Sequence, residues 1–203
     1  MNITFWIRSS LAAVLCAVVG GCGVTAHRIE PGGPDALVTV TGVDAADWNL
    51  VANKAIGELL SSGALKRKDG RQAVVMVSRV RNYTLLHLES AILTNKMRSA
   101  IGASGQARVT SAVGYGGNID LAVRRIRAKD IDDIFASGTV PKRGTVTAPN
   151  FSLSGMIVQQ TTRSGRTEEG YYQFYLALTD LATGVAVWET TVDFAKQATR
   201  SVI

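Results

Sequence analysis

The sequence predicts a single domain of the α/β (α+β) class, a mixed β-sheet packed by helices whose C-terminal strands run antiparallel. Three observations lead there. The front half alternates β-rich apolar runs with stretches of helical period. About the last fifty residues switch to a period of two. Once an N-terminal leader is set aside, about 180 residues remain, the size of one domain with a real core.

Each element has a local reason. Asp44, with Asp47 three residues on, has the form of a capping box. Behind it, Trp48, Val51, Ala52, Ala55, Ile56, Leu59 and Leu60 fall on one face of a helix, which Gly63 ends. A loop from Lys66 to Gly70 leads into Ala73-Val-Val-Met-Val77, a run without alternation that predicts a strand covered on both faces. Glu89 or Ser90 opens a second helix carrying Ile92, Leu93, Met97, Ala100 and Ile101, with Gly102 and Gly105 closing it. Ala107 to Val113 reads as a strand, Gly114 to Gly117 as a loop, and 119–136 as a third helix with Ile119, Val123, Ile126, Ile131 and Ile134. Ala36 to Thr41 is a short strand or an extended arm.

In the last part, Phe151, Leu153 and Ile157 alternate with Ser152 and Ser154. Tyr172, Phe174, Leu176 and Leu178 alternate with Tyr171, Gln173, Tyr175 and Ala177, and Trp188, Val192 and Phe194 with Glu189, Thr191 and Asp193. Successive strand side chains point to opposite faces, so these are strands with one face in the core. Arg163-Ser-Gly-Arg166 and Asp180 to Gly184 are the turns, with Gly184 taking the left-handed position.

The N-terminus reads as a secretory leader over residues 1–21. Arg8 supplies the charge, Leu11 to Val19 an apolar run, and Gly20-Gly21 a small-residue cleavage site before Cys22. The apolar run falls short of the roughly 20 residues that span a bilayer. Val19-Gly20-Gly21-Cys22 resembles the bacterial lipobox. That resemblance implies a thioether-linked lipid on Cys22, cleavage before it and a further acyl chain on the new amine. More than one chain is what stable anchoring needs. Residues 22–36, with Pro31, Pro34 and Gly32-Gly33, form a tether, and 37–203 the globular domain.

The two cysteines, Cys16 and Cys22, leave with the leader or go to the lipid, so the folded part has no disulfide and no thiol metal site. The net charge of +6 becomes +5 once Arg8 is removed. A moderately basic exported domain can touch anionic lipid, wall polymer such as peptidoglycan, or an acidic protein; nucleic acid is not expected outside the cytoplasm. The basic runs Lys66-Arg67-Lys68 and Arg124-Arg125-Ile-Arg127 are followed by acidic residues and read as mixed-charge surface.

Chemistry is scarce. His27 lies in the tether, and His87 stands alone before a helix as a structural residue. There is no HExxH, no GxSxG elbow and no glycine fingerprint for a nucleotide. Glu168-Glu169, in a hairpin turn, and Asp130, Asp132 and Asp133 were the carboxylates to weigh for wall-cleaving chemistry, and both groups read as solvated charge. The expectation is a protein without catalytic residues, metal or cofactor.

Three segments carry a family resemblance: Val74 through His87 with Leu88-Glu89-Ser90 after it; Leu93-Thr-Asn-Lys-Met-Arg98 through Gly105; and Pro149 through Gly155, Tyr171-Tyr-Gln-Phe174 and Leu178 through Glu189. Together, in order and spacing over about 150 residues, they resemble the LpoB family of outer-membrane lipoproteins that activate bifunctional penicillin-binding proteins. The resemblance implies a fold like the N-terminal domain of TolB, a lipid-anchored monomer at the outer membrane facing the periplasm, and a class A penicillin-binding protein as partner. Among the motif residues, Asn82 and Thr84 suit a turn, Gly155 a bulge or a close helix approach, and Trp188 the core. Tyrosine and arginine are enriched in interface hot spots. Tyr171 and Tyr175, on the strand face opposite Tyr172 and Phe174, with Arg163 and Arg166 in the adjoining turn, are therefore the candidate partner-binding residues.

One departure concerns reach. Enterobacterial members of the family have a long Pro-rich tether. Here about 22 residues from Cys22 to Asp44 span at most roughly 75 Å extended and about 26 Å as a coil. The domain adds roughly 40 Å. The same architecture occurs in curli-transporter-like assembly and secretion lipoproteins, the alternative function; the sequence has no membrane-spanning hairpins of a pore.

Overall fold

The computed structural model describes residues 26–39, 41–114, 120–128, 135–136 and 138–200. A compact unit begins at Pro31; residues 26–30, before it, are irregular and exposed. The elements of this unit are helix α1 (Ala45–Ser62), strand β1 (Ala73–Tyr83), helix α2 (Ala91–Ala103), strand β2 (Ala107–Val109), a single turn α3 (Ala122–Arg125), and strands β3 (Phe151–Ser164), β4 (Thr167–Asp180) and β5 (Ala186–Thr199). The sheet order is β2-β1-β3-β4-β5. β1 runs parallel to both β2 and β3, and the last three strands are antiparallel. This is the mixed α+β sheet that the two sequence periods predict.

α1 and α2 lie on one face of the sheet. Their apolar stripes meet the inward residues of every long strand: Trp48, Val51, Ala55, Ile56 and Leu59 from α1, Leu93, Met97 and Ile101 from α2, and Val75, Val77, Leu153, Ile157, Tyr172, Phe174, Leu176, Leu178 and Val192 from the sheet. Trp48 meets Phe174 edge-on at 5.6 Å, and Phe194 stacks on Tyr172 at 5.1 Å. Trp188 packs against this core while staying partly exposed.

α1 starts as its capping box requires. Asp44 Oδ1 accepts from the Ala46 and Asp47 amides, Asp47 Oδ2 accepts from the Asp44 amide, and Gly63 ends the helix at φ 74°. Register is pinned at the start of β3 by Asn150. Its Oδ1 accepts from the Val74 amide at 3.0 Å, its own amide donates to Val74 O, and its carbonyl accepts from Leu181 N. Asn82 shapes the exit of β1, accepting from the Thr84 amide and hydroxyl and donating to Leu86 O. Gly184 holds the β4–β5 turn at φ 73°.

Several expectations are corrected. β1 is covered on both faces only where it begins: Val74 is buried beneath Val123, Arg127 and Val146, whereas Arg79, Arg81 and Tyr83 are exposed. Gly102 lies inside α2; the left-handed position after it belongs to Gly105, at φ 69°. β2 stops at Val109, where Thr110 N reaches Val75 O and Asp120 N closes the next loop onto Ser111 O. Of the helix expected over 119–136, the described residues hold the one turn of α3. Ile119 and 129–134 lie outside them. In the sequence Ile126 and Ile131 stand five positions apart, off the i, i+3, i+4 spacing. Residues 36–39 form an arm rather than a strand. Gly155 does make a close approach, but to β4 rather than to a helix.

The arm is held by a half-buried network. Lys196, on the helix-side row of β5, reaches Asp44 at 2.7 Å and also Asp47, and donates to Thr39 Oγ1. The Tyr172 hydroxyl donates to Thr41 O. Burial by itself raises the Asp44 pKa, but hydrogen bonds from Lys196 and from the Asp47 and Thr39 amides outweigh it and bring the pKa from 3.8 to about 2. A depressed carboxyl pKa stabilises the fold above the unfolded value and loses that contribution as pH falls through the folded one. The domain should therefore lose stability between about pH 4 and pH 2, by roughly 1–2 kcal/mol from this group after allowing for solvent screening. Asp44→Asn should unfold at lower urea than the unchanged chain at pH 7, and the gap should narrow at pH 2. An equal gap at both pH values would assign the loss to the helix cap alone.

Candidate functional site

The helix-free face of the sheet is the place to look. Its rows follow from strand parity: Met76, Ser78, Arg79, Arg81 and Tyr83 on β1; Ser152, Ser154, Met156 and Val158 on β3; Tyr171, Gln173 and Tyr175 on β4; Glu189, Thr191 and Asp193 on β5. Neither α1 nor α2 covers this face. β1 slips register against β3 between Val77 and Val80, opposite Leu153 and Gly155, so β1 holds one extra residue there. Such a bulge bends the strand and re-aims its side chains. The result is an open hollow of about 580 Å³ lined by Ser78, Arg79, Arg81, Tyr83, Ser154, Gly155, Met156 and Tyr175.

Charge is polarised across the face. Arg79 and Arg81 stand at the β1 side, Glu189 and Asp193 at the β5 side, and the tyrosines lie between. The Tyr175 hydroxyl donates to Glu189, which pushes its pKa up, with burial adding to the effect. Tyr171 is pushed up mainly by burial and then by its hydrogen bond to Asp193. Both phenols are thus neutral, amphipathic contact surface.

The four candidate residues do not come together. Tyr171 and Tyr175 lie on this face, opposite the buried Tyr172 and Phe174, and Tyr175 lines the hollow. Arg163 is on β3, not in the turn, because the turn is just Gly165-Arg166 between the paired Ser164 and Thr167. Arg163 faces Glu168, its cross-strand partner, and forms a salt bridge with it on the helix side of the sheet plane. That pairing holds the Glu168 carboxyl below its usual range. Arg166 is exposed in the turn. Arg79, Arg81 and Tyr83 were missed by sequence reasoning, although the alternation of Arg79, Arg81 and Tyr83 with Val80 and Asn82 marks them. The apolar run before them suggested a strand ending at Val77.

The weighed carboxylates are also placed. Glu168 and Glu169 sit on β4, so they point to opposite faces, Glu168 to Arg163 and Glu169 to Gln197. Two groups aimed apart cannot flank one bond, as paired acid chemistry requires. Asp130, Asp132 and Asp133 lie outside the described residues, as does Cys22. His87 is exposed in the β1–α2 connection. Among the described residues, no cluster of His, Cys, Asp or Glu is positioned to hold a metal. No helix there is long and apolar enough to cross a membrane.

The fold is a helix-backed sheet whose open face carries aromatic and charged side chains. A family model described as peptidoglycan-synthase activator LpoB matches residues 47–194. The chain belongs to the LpoB family. No curated protein matches it. Among solved structures, the LpoB C-terminal domain from Escherichia coli is similar at 15% identity and a TM-score of 0.40, covering 73% of this chain and 98% of that one. Lipoprotein GNA1162 from Neisseria meningitidis is similar at 11% identity and 0.36, covering 64% and 87%. The PelC dodecamer from Paraburkholderia phytofirmans is similar at 17% identity and 0.35, covering 62% and 72%.

Proposed function

We propose that this chain is a lipid-anchored activator that binds the periplasmic region of a class A penicillin-binding protein and raises its glycosyltransferase and transpeptidase rates. The observation that carries it is the family match over most of the folded part, to a family described as peptidoglycan-synthase activators. The physics agrees in kind. A protein that acts by contact shifts an enzyme only through different affinities for its states, and that calls for a rigid, decorated surface. The helix-free face is decorated with aromatic and charged side chains, and Tyr175, Tyr171, Arg79 and Arg81 are its proposed contact residues. The lipid on Cys22, placement at the outer membrane facing the periplasm, a monomeric state and the lack of catalysis belong to the same proposal, with peptidoglycan as a secondary contact.

Tyr175→Ala combined with Arg81→Glu should weaken synthase binding about tenfold or more, the scale of losing one or two hot-spot contacts. Surface plasmon resonance against the synthase ectodomain measures it, with circular dichroism to confirm folding. Arg163→Glu with Arg166→Glu is the comparison. If that pair weakens binding and the first does not, the interface sits at the hairpin tip instead.

A further inference from the structure

We propose that the free edge of β5 accepts an extended segment of the partner as a sixth strand, and that this segment alternates basic with apolar side chains. The partner's identity rests on the activator reading; the chemistry of the segment does not.

β5 is the last strand of the sheet and runs from Ala186 to Thr199. Its pairing with β4 is regular from Leu178↔Trp188 to Thr167↔Thr199. One side of its backbone is therefore satisfied by β4. The other presents alternate N–H and C=O groups that meet no strand among the described residues. An edge of this kind is a template for pairing with another chain. The opposite edge is β2, three residues long.

Natural edges are blunted by shortness, charged side chains (lysine above all), inward-pointing charges, proline, a bulge or a cover. β5 is long and has no proline. Its one lysine, Lys196, turns to the helix side and is held by Asp44 and Asp47. Its register shift falls at the very start, between the partners of Leu178 and Thr179, and leaves the run from Trp188 onward regular. The defence that remains is charge, the exposed Glu189 and Asp193 carboxylates, which disfavour a like-charged strand and favour a basic one.

The two rows of β5 specify what fits. The outer row, Glu189, Thr191, Asp193, Ala195 and Gln197, is exposed, acidic and free of lysine and arginine. This stands out in a chain whose net charge is +6. A hydrogen bond from the Tyr175 hydroxyl holds the Glu189 carboxylate in place. Opposite charges directly across a strand pair are favourable and like charges are not. The inner row offers Trp188 and Phe194, both partly exposed and packed on the core. An added strand gains by placing basic residues over the first row and apolar ones over the second, as strand-addition recognition does with alternate pockets. A second copy of β5 would line up the carboxylates Glu189 and Asp193 of both chains on one seam without a cation, so the occupant is a different chain. The same seam borders Tyr171 and Tyr175, so one partner can cover face and edge together.

The test is hydrogen exchange on the full chain in detergent micelles, read over 186–199. The probes are a capped peptide alternating Lys and Val, its Glu–Val counterpart, and the organism's class A synthases. The Lys–Val peptide should slow exchange through Trp188–Thr199 by roughly tenfold, and the Glu–Val peptide should not. Glu189→Lys with Asp193→Lys, both at exposed positions, should reverse that preference. Protection of the same amides by a synthase supports the partner segment. A synthase that binds while leaving β5 unprotected, a lack of protection by the Lys–Val peptide, or protection that grows with the chain's own concentration would each overturn strand addition. A failure of every synthase to bind removes the activator reading instead, and the peptides still decide the edge.

Discussion

Gly155→Ala is expected to destabilise the domain by about 3 kcal/mol, the upper end for overpacking a close-packed site. Gly155 pairs with Leu176 across β3 and β4 and with Val80 across β1 and β3. A Cβ there would collide with the Tyr175 carbonyl oxygen and sit 2.6 Å from a Leu176 methyl carbon. Leu176 can change rotamer, but the carbonyl belongs to the β4 backbone and cannot move without opening the ladder. The urea midpoint should fall by roughly 1–2 M with little change in slope. The loss is large against the 5–15 kcal/mol that typically holds a domain together. It also falls beside the bulge that shapes the hollow, so synthase binding should weaken even where the variant stays folded. An unchanged midpoint would mean that β3 and β4 separate at little cost, and the register at the site would then be in error.

The second large effect is expected at Cys22. Cys22→Ala should move the protein almost wholly from the membrane fraction to the soluble periplasmic fraction. The basis is the leader-like run that ends in Val19-Gly20-Gly21-Cys22. On the lipid-anchor proposal more than one acyl chain is required, because a single myristoyl-sized chain binds a bilayer only marginally, at about 10⁴ M⁻¹. Among the described residues no helix is long and apolar enough to cross a membrane. Fractionation followed by mass measurement of the N-terminal peptide checks both position and modification. A variant that stays membrane-bound at the original level would refute the lipid anchor.

What the sequence carried was local. The capping box of Asp44 and Asp47, the stop at Gly63 and the turn at Gly184 all involve neighbours in the chain, and each is where its residue type demands. The alternation of Tyr172 and Phe174 with Tyr171 and Tyr175 was legible because one face of β4 is covered and the other is not. What failed was parity near turns. A strand flips every side chain with a one-residue change of boundary. Reading Arg163 and Glu168 as turn residues therefore hid that they pair on the helix side, away from the tyrosines. Long-range closure was invisible for a different reason. Lys196 reaches Asp44 across 152 positions, and neither residue announces the other. The extra residue in β1 near Ser78 and Arg79 likewise depends on its pairing with β3, which is why Arg79, Arg81 and Tyr83 were not recognised as part of an open face.

This chain is proposed to accelerate a wall synthase by binding it. The direct measurement mixes the full chain, in detergent, with each class A synthase of the same organism and follows lipid II consumption together with cross-link formation. Both rates should rise for at least one synthase, saturating with the concentration of this protein, and Tyr175→Ala with Arg81→Glu should shift the saturation to higher concentration. Unchanged rates and no measurable binding with every synthase would contradict it and leave a role in envelope assembly or secretion.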